Sequence, residues 1–200
     1  FDITGSKFED MNGDGNAAGD PVVAGWPIQL LKDGIVVANT TTGADGSYHF
    51  SVCEGGTYNV EEGMLAGWVA TSATTSVTFD GTSGSTHGPF NFLNFKCYGV
   101  TGHKYDDTDG SGTLGAGEPV IPGWGISLLK GDTVVATTTT NAQGVYSFEV
   151  CEAGSFTVRE ETRDGWRPTS PESANYTGQS GTTQNIDFFN FACYEVGITK

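Results

Sequence analysis

The sequence predicts an all-β chain of two tandem, seven-stranded β-sandwiches, and three observations carry that expectation. The first is a long internal repeat: Lys7–Pro21 returns as Lys104–Pro119, and the Gly-Trp and Cys positions recur in the same order. The second is periodicity, since apolar residues alternate with polar ones over short runs and nowhere follow a helical spacing. The third is composition. With 30 glycines, 12% aromatic residues and only 16% charged residues, the chain is built for turns and strands rather than for a disordered acidic tail. The repeat divides the 200 residues into domains at 1–98 and 99–200, the latter ending in a short C-terminal strand or the start of a further repeat. Domains of this size gain limited stability from a core alone, so additional staples are expected.

In the first repeat, Ile3–Phe8 alternates and forms the opening strand, which runs directly into an acidic loop. Trp26, Ile28 and Leu30 then share one strand face, and Asp33-Gly34 turns the chain back into Ile35–Thr42. Ala44-Asp45-Gly46 leads to Tyr48, Phe50 and Val52 on one face, ending at Cys53. Gly55-Gly56 introduces Thr57–Glu62, a threonine-rich strand covers Ala73–Phe79, and Phe90–Cys97 closes the domain. The second repeat follows with Gly123-Trp124, Tyr146-Ser147-Phe148, Phe156-Thr157-Val158, Gly165-Trp166 and Phe188–Cys193. Core packing is the expected role of the recurring aromatics. The link Cys97–Gly102 is too short for free bending, which implies a semi-rigid rod.

A formal net charge of −15 and a pI near 4.2 argue against nucleic acid and against an anionic membrane surface. No run reaches transmembrane length, so direct membrane insertion is not expected, and no charged-then-apolar leader opens the chain. Phe1 in place of an initiator methionine suggests a mature or excised piece.

The strongest chemical signal lies in the two acidic loops. Oxygen-bearing residues stand at every second position with glycine at the sixth, as in a calcium loop. The first loop offers Asp10, Asn12, Asp14 and Asn16, with Asp20 as a closing acid one residue early. The second offers Asp107, Asp109, Ser111 and Thr113, with Glu118 at the twelfth position. Ordinary Gly-rich turns do not require alternating acids and a later acid, and here the pattern occurs twice. Calcium is favoured over magnesium because crowded carboxylate cages suit the larger ion.

The four cysteines occupy repeat-equivalent positions, Cys53 with Cys151 and Cys97 with Cys193. If each repeat closes itself, the bonds are Cys53–Cys97 and Cys151–Cys193, each contributing about 4 kcal/mol in the chain-entropy model. Such pairing implies an oxidising, extracellular setting. Zinc is disfavoured, because no CxxC occurs and no histidine recurs with the cysteines. Asn39 and Asn175 head glycosylation sequons. His49, His87 and His103 do not cluster, and no set of serine, histidine and acid recurs, so an enzyme is not expected.

Strand parity singles out one further constellation. Lys7 shares a face with Ile3, Glu62 with Tyr58 and Val60, and Asn94 with Phe90 and Phe92. Lys104, Glu160 and Asn190 repeat the arrangement. Charged groups on apolar faces need partners.

Taken together, Gly-x-Lys-Phe/Tyr, the Asp-x-Asn/Asp-x-Asp/Ser-Gly loop, Gly-Trp, Thr-Thr-Thr, the Gly-x-Tyr-x-Phe strand and the closing Phe-x-Asn-Phe appear twice in one order. That order resembles the calcium-binding B repeats of serine–aspartate repeat surface adhesins, within the prealbumin-like collagen-adhesin B superfamily. The resemblance implies prealbumin/immunoglobulin-like sandwiches in a cell-surface stalk stiffened by calcium. Cysteine pairs are not part of that family's usual pattern. In related collagen-adhesin B domains a Lys, an Asn and a Glu form an intramolecular isopeptide bond. Carried over, the sets are Lys7, Glu62, Asn94 and Lys104, Glu160, Asn190. The competing expectation has both lysines facing solvent or pairing with nearby acids. It takes precedence here, because the best-matching B repeats are not typically isopeptide-linked.

The function expected is a non-catalytic extracellular module, a calcium-stiffened, disulfide-stapled spacer whose partners are neighbouring repeats or identical subunits. Two alternatives remain: a filament subunit joined by strand addition through Tyr194–Lys200, and an adhesin domain binding host or matrix protein or glycan.

Overall fold

The computed structural model describes residues 1–194. The chain divides into two compact units. One comprises Phe1–Cys97 with the short segments Cys151–Ala153 and Gln179–Gly181; the other comprises, among the described residues, Tyr98–Val150, Gly154–Gly178 and residues 182–194. The tail proposed for strand addition lies outside the described residues beyond Tyr194.

The first repeat contains β1 (Asp2–Glu9), β2 (Pro27–Lys32), β3 (Ile35–Thr41), β4 (Ser47–Ser51), β5 (Gly56–Glu62), β6 (Trp68–Ala70), β7 (Ser76–Gly81), β8 (Thr86–His87) and β9 (Phe92–Lys96). One sheet has the order β4-β1-β9-β6 with β8 beside β1, and the facing sheet has the order β3-β2-β5-β7. The second repeat contains β10 (Tyr98–Asp106), β11 (Gly125–Lys130), β12 (Thr133–Thr139), β13 (Val145–Val150), β14 (Gly154–Glu160), β15 (Trp166–Pro168), β16 (Ser173–Gly178), β17 (Thr183–Asn185) and β18 (Phe188–Ala192). It forms the sheets β13-β10-β18-β15, with β17 beside β10, and β12-β11-β14-β16. The fold is the all-β sandwich pair expected. Short strands after each second Gly-Trp and before each closing strand join the seven read from the sequence. At two or three residues, they are too brief to show an alternation.

Local chemistry explains the elements. Asp33 and Gly34 both have positive φ, 53° and 79°, as a tight hairpin turn between right-twisted strands requires. Alternation along β1, β4 and β5 puts Ile3, Tyr48, Phe50, Tyr58 and Val60 in one core with Trp26, Ile28, Leu30 and Phe92. Val100, Trp124, Ile126, Tyr146, Phe156, Val158 and Phe188 are buried in the second unit.

One close approach is built from a glycine and a tyrosine in each repeat. The Tyr48 hydroxyl donates to the Phe90 carbonyl at 2.7 Å and the Tyr146 hydroxyl to the Ile186 carbonyl at 2.6 Å. Gly5 and Gly102 leave the room: a Cβ on Gly102 would collide with the Ile186 carbonyl and press on the Tyr146 ring. Gly102→Ala is therefore expected to destabilise the second unit by about 3 kcal/mol, at the upper end of overpacking costs. A urea midpoint equal to that of the parent would contradict this account.

Candidate functional site

The sites grow from the place where β1 meets β9, and β10 meets β18. These strands run parallel, with Lys7 beside Phe92 and Glu9 beside Asn94. In the second repeat Lys104 lies beside Phe188 and Asp106 beside Asn190. Lysine and asparagine thus come from neighbouring strands of one sheet. The glutamate comes from the facing sheet, at the end of β5 or β14, where Glu62 pairs with Ile28 and Glu160 with Ile126.

Lys7 and Lys104 are fully buried, and Glu62, Asn94, Glu160 and Asn190 are also buried. Lys7 Nζ lies 2.6 Å from Asn94 Oδ1 and 3.3 Å from Glu62 Oε2. Lys104 Nζ lies 3.0 Å from Glu160 Oε2. Each amine also sits over an indole, 4.5 Å from the centre of Trp26 and 4.8 Å from that of Trp124. The solvent-facing lysine anticipated from the sequence does not occur; the acid-paired one does, and Lys7 has its asparagine within hydrogen-bond distance as well.

Burial dominates the electrostatics. It lowers the Lys7 amine to about 8 against the attraction of Glu62, and it also lowers the Lys104 amine against the attraction of Glu160. It raises the Glu62 carboxyl and pushes Glu160 up to about 7 against the pull of Lys104. Desolvation thus favours the neutral form of each partner, an amine facing a carboxylic acid. For Glu160 the folded value exceeds the ordinary 4.5, so its contribution to stability is fully present below that pH and is lost as pH rises through 7. For Lys7 the depressed value has the opposite consequence: stability present above 10.5 is lost as pH falls through about 8. In an Asn190→Ala background, Glu160→Gln is expected to gain stability relative to its parent between pH 4.5 and 7. Parallel urea-derived stability curves for the two proteins would contradict it.

Each acidic loop leaves the end of the lysine strand. In the second, carboxylate oxygens of Asp107, Asp109 and Glu118 lie within 4.8 Å of one another, forming a candidate metal site. Asp107 is fully buried. Burial raises its carboxyl, but hydrogen bonds from Thr169 and the Gly112 and Ser111 N–H groups outweigh that and hold it at about 2. Glu118 Oε2 accepts from Gly115 N–H at 2.8 Å, while its Oε1 is buried with no hydrogen bond. Ser111 Oγ donates to the Thr113 carbonyl at 3.0 Å.

The first loop is organised around Asp10, also fully buried, whose carboxylate accepts from the N–H groups of Gly13, Asp14 and Gly15. Asn12 Nδ2 donates to Asp14 Oδ2, and Asn16 Oδ1 accepts from Ala18 N–H. Asp20 Oδ1 accepts from Met11 N–H, and its Oδ2 is buried without a partner. Among the described residues, three acids are not gathered here as in the second loop. Two of its alternating positions, Asn12 and Asn16, carry amides.

The predicted cysteine pairing is corrected. The disulfide joins Cys97 to Cys151, whereas Cys53 and Cys193 are free and exposed. The cause is strand register. β10 begins immediately after Cys97 and runs antiparallel to β13 with Tyr98 opposite Val150. The next pair along that ladder is Cys97 and Cys151, with Cα atoms 4.1 Å apart. Asn39 and Asn175 stand exposed on β3 and β16; Asn175 Oδ1 accepts from the Thr157 hydroxyl at 2.6 Å. Among the described residues no helix is long and apolar enough to cross a membrane.

The architecture is that of a repeat-built β-sandwich module with its polar chemistry inside the fold. The chain belongs to the SdrD B-like domain family, whose model matches residues 3–93 and again 100–193. Among curated proteins it is similar to serine-aspartate repeat-containing protein F of Staphylococcus epidermidis, 29% identical over 84% of this chain and 11% of that protein. It is likewise similar to serine-aspartate repeat-containing protein D of Staphylococcus aureus, 30% identical over 88% of this chain and 14% of that protein. The chain therefore spans a small part of the length of these relatives. Solved structures with a similar course include the Bacillus anthracis TIE protein, at TM-score 0.44 and 16% identity, over 96% of this chain and 34% of that one. Another is GBS52, the minor pilin of Streptococcus agalactiae, at TM-score 0.41 and 12% identity, over 100% and 99% of the two chains.

Proposed function

We propose that this chain is a non-catalytic extracellular structural module, a spacer in a cell-surface protein, hardened from within by covalent cross-links and calcium. The observation that carries this reading is the burial of Lys7 against Glu62 and Asn94 from different strands, answered in the second repeat by Lys104 buried against Glu160, with Asn190 buried on the neighbouring strand. Groups sealed from solvent serve the chain itself rather than a diffusing substrate. In each repeat the neutral lysine amine attacks the Asn94 or Asn190 side-chain carbonyl carbon. Glu62 or Glu160, protonated, donates to the amide oxygen and relays the amine proton to the leaving nitrogen. One C–N bond forms, the other breaks, and ammonia departs. The product is an isopeptide bond tying the first strand of the sandwich to the last.

Calcium fits the second loop through Asp107, Asp109 and Glu118. The unpartnered Glu118 Oε1 and the mutual repulsion of three gathered carboxylates support a divalent cation there. Asp10, Asn12, Asp14, Asn16 and Asp20 form the weaker counterpart, in which Asp20 Oδ2 is buried and unpartnered. The bound ion supplies positive charge that holds the loop oxygens together.

Pulling on single molecules tests the spacer reading. With the Cys97–Cys151 disulfide reduced, cross-linked units still resist extension between lysine and asparagine, so the length released should fall far short of the full chain. Release of the full contour length at low force would overturn it. Long uniform fibres in electron micrographs of the purified chain would favour a filament subunit instead.

A further inference from the structure

The two free cysteines occupy the same local frames as the two that are bonded. Cys97 follows β9 and its N–H donates to the Gly67 carbonyl at 2.8 Å; Cys193 follows β18 and its N–H donates to the Gly165 carbonyl at 2.7 Å. Cys151 stands one residue beyond β13, and Cys53 two residues beyond β4. In the first repeat Asp2 lies opposite Ser51, and Phe1 exchanges hydrogen bonds with Val52. One step further along this ladder, Cys53 faces the position immediately before Phe1. That is the position Cys97 holds before Tyr98.

A second observation is independent of sulfur. The first unit is completed by Gln179–Gly181 as well as by the Cys151 segment. The buried Ser180 hydroxyl accepts from Lys96 N–H and donates to Glu9 Oε1, both at 2.7 Å. Ser180 N–H donates to the Met11 carbonyl and Gly181 N–H to the Lys96 carbonyl. The repeat counterparts of Ser180 and Gly181 are Ser83 and Gly84, and both are exposed. Glu9 has its counterpart in Asp106, which keeps the accepting carboxylate. The first repeat thus carries an unused copy of the segment that completes a unit, and the second carries an unused copy of the edge that receives it.

We propose that Cys53 and Cys193 are the two halves of one further staple. Each bonds its counterpart on another copy of this repeat, head to tail, with the Ser83 segment seated against the Asp106 edge. The copy is either a flanking repeat of the same polypeptide or a second molecule. The bond forms by exchange with a small disulfide such as oxidised glutathione. Two protein thiols give up two protons and two electrons, one S–S bond forms, and two glutathione thiols are released. This inference stands apart from the metal and isopeptide readings.

The test uses the full chain and a tandem in which residues 1–193 are followed directly by a second copy of residues 98–200. Both are refolded in a glutathione redox buffer, alkylated and mapped by mass spectrometry without reduction. In the tandem, the internal Cys193 is expected to be linked to the Cys151 of the added copy, leaving Cys53 and the final Cys193 alkylated. In the unextended chain, a ladder of disulfide-linked oligomers would extend the bond to separate molecules. Cys53→Ser and Cys193→Ser would then each stay monomeric alone and form dimers when mixed. A link in the tandem only assigns the partner to a flanking repeat. The proposal fails if Cys193 is alkylated in the tandem and the unextended chain stays monomeric. It also fails if the links found are Cys53–Cys53 or Cys193–Cys193.

Discussion

With its disulfide reduced, the protein is expected to have an intact mass about 34 Da below the sequence mass, one ammonia for each of two isopeptide bonds. Asn190→Ala should restore about 17 Da and leave Lys104 without an electrophile. Because the lost link closes a loop running from Lys104 to Asn190, the chain-entropy argument used for disulfides sets its worth at about 4 to 5 kcal/mol. For a domain near a hundred residues, that corresponds to a fall in melting temperature of about 20 °C or more. Lys104→Met should behave alike, with the mass deficit of the first repeat intact. A full sequence mass in the unmodified protein would end the cross-link reading, leaving Lys7 and Lys104 as buried ion pairs.

Adding a chelator to calcium-loaded protein should lower its melting temperature. A ligand present at a hundred times its dissociation constant stabilises by about 2.7 kcal/mol, so a drop of about 10 °C in the affected unit is expected. Asp109→Asn is the sharper probe. Asp109 is exposed and caps Ser111 N–H through one oxygen at 2.9 Å, a bond that asparagine can keep while losing the charge. The variant should match the parent in chelator and respond less to calcium. Asp107→Asn is a poorer choice, because Asp107 also holds the backbone of its loop. A melting temperature indifferent to chelator in both proteins would remove calcium from the account.

The buried polar sets could be read before any coordinates because strands have a period of two. A lysine in step with Ile3, a glutamate in step with Val60 and an asparagine in step with Phe92 must all face inward if their neighbours do. That logic gives faces, not partners; only the parallel register of β1 with β9 brings Asn94 to Lys7. The cysteines illustrate the limit. Their repeat-equivalent placement allows a bond inside a repeat and a bond across repeats alike, and the assumption that each repeat closes itself selected the wrong one. The ladder between β10 and β13 decides the matter, and its register is a tertiary property. The Gly102 contact with Ile186 was similarly hidden, since an isolated glycine in a strand does not name what approaches it.

The four tryptophans fall into two edge-to-face pairs, Trp26 with Trp68 at 5.1 Å and Trp124 with Trp166 at 5.5 Å. One ring of each pair lies under the lysine amine. The intrinsic emission of the protein therefore originates almost entirely beside the two buried lysines. An ammonium over an indole and an amide over an indole are different optical environments. Ring closure in freshly refolded protein should be visible as a slow, single-exponential change in tryptophan fluorescence, absent from the doubly substituted Asn94→Ala, Asn190→Ala chain, which gives the chemistry a clock that needs no label.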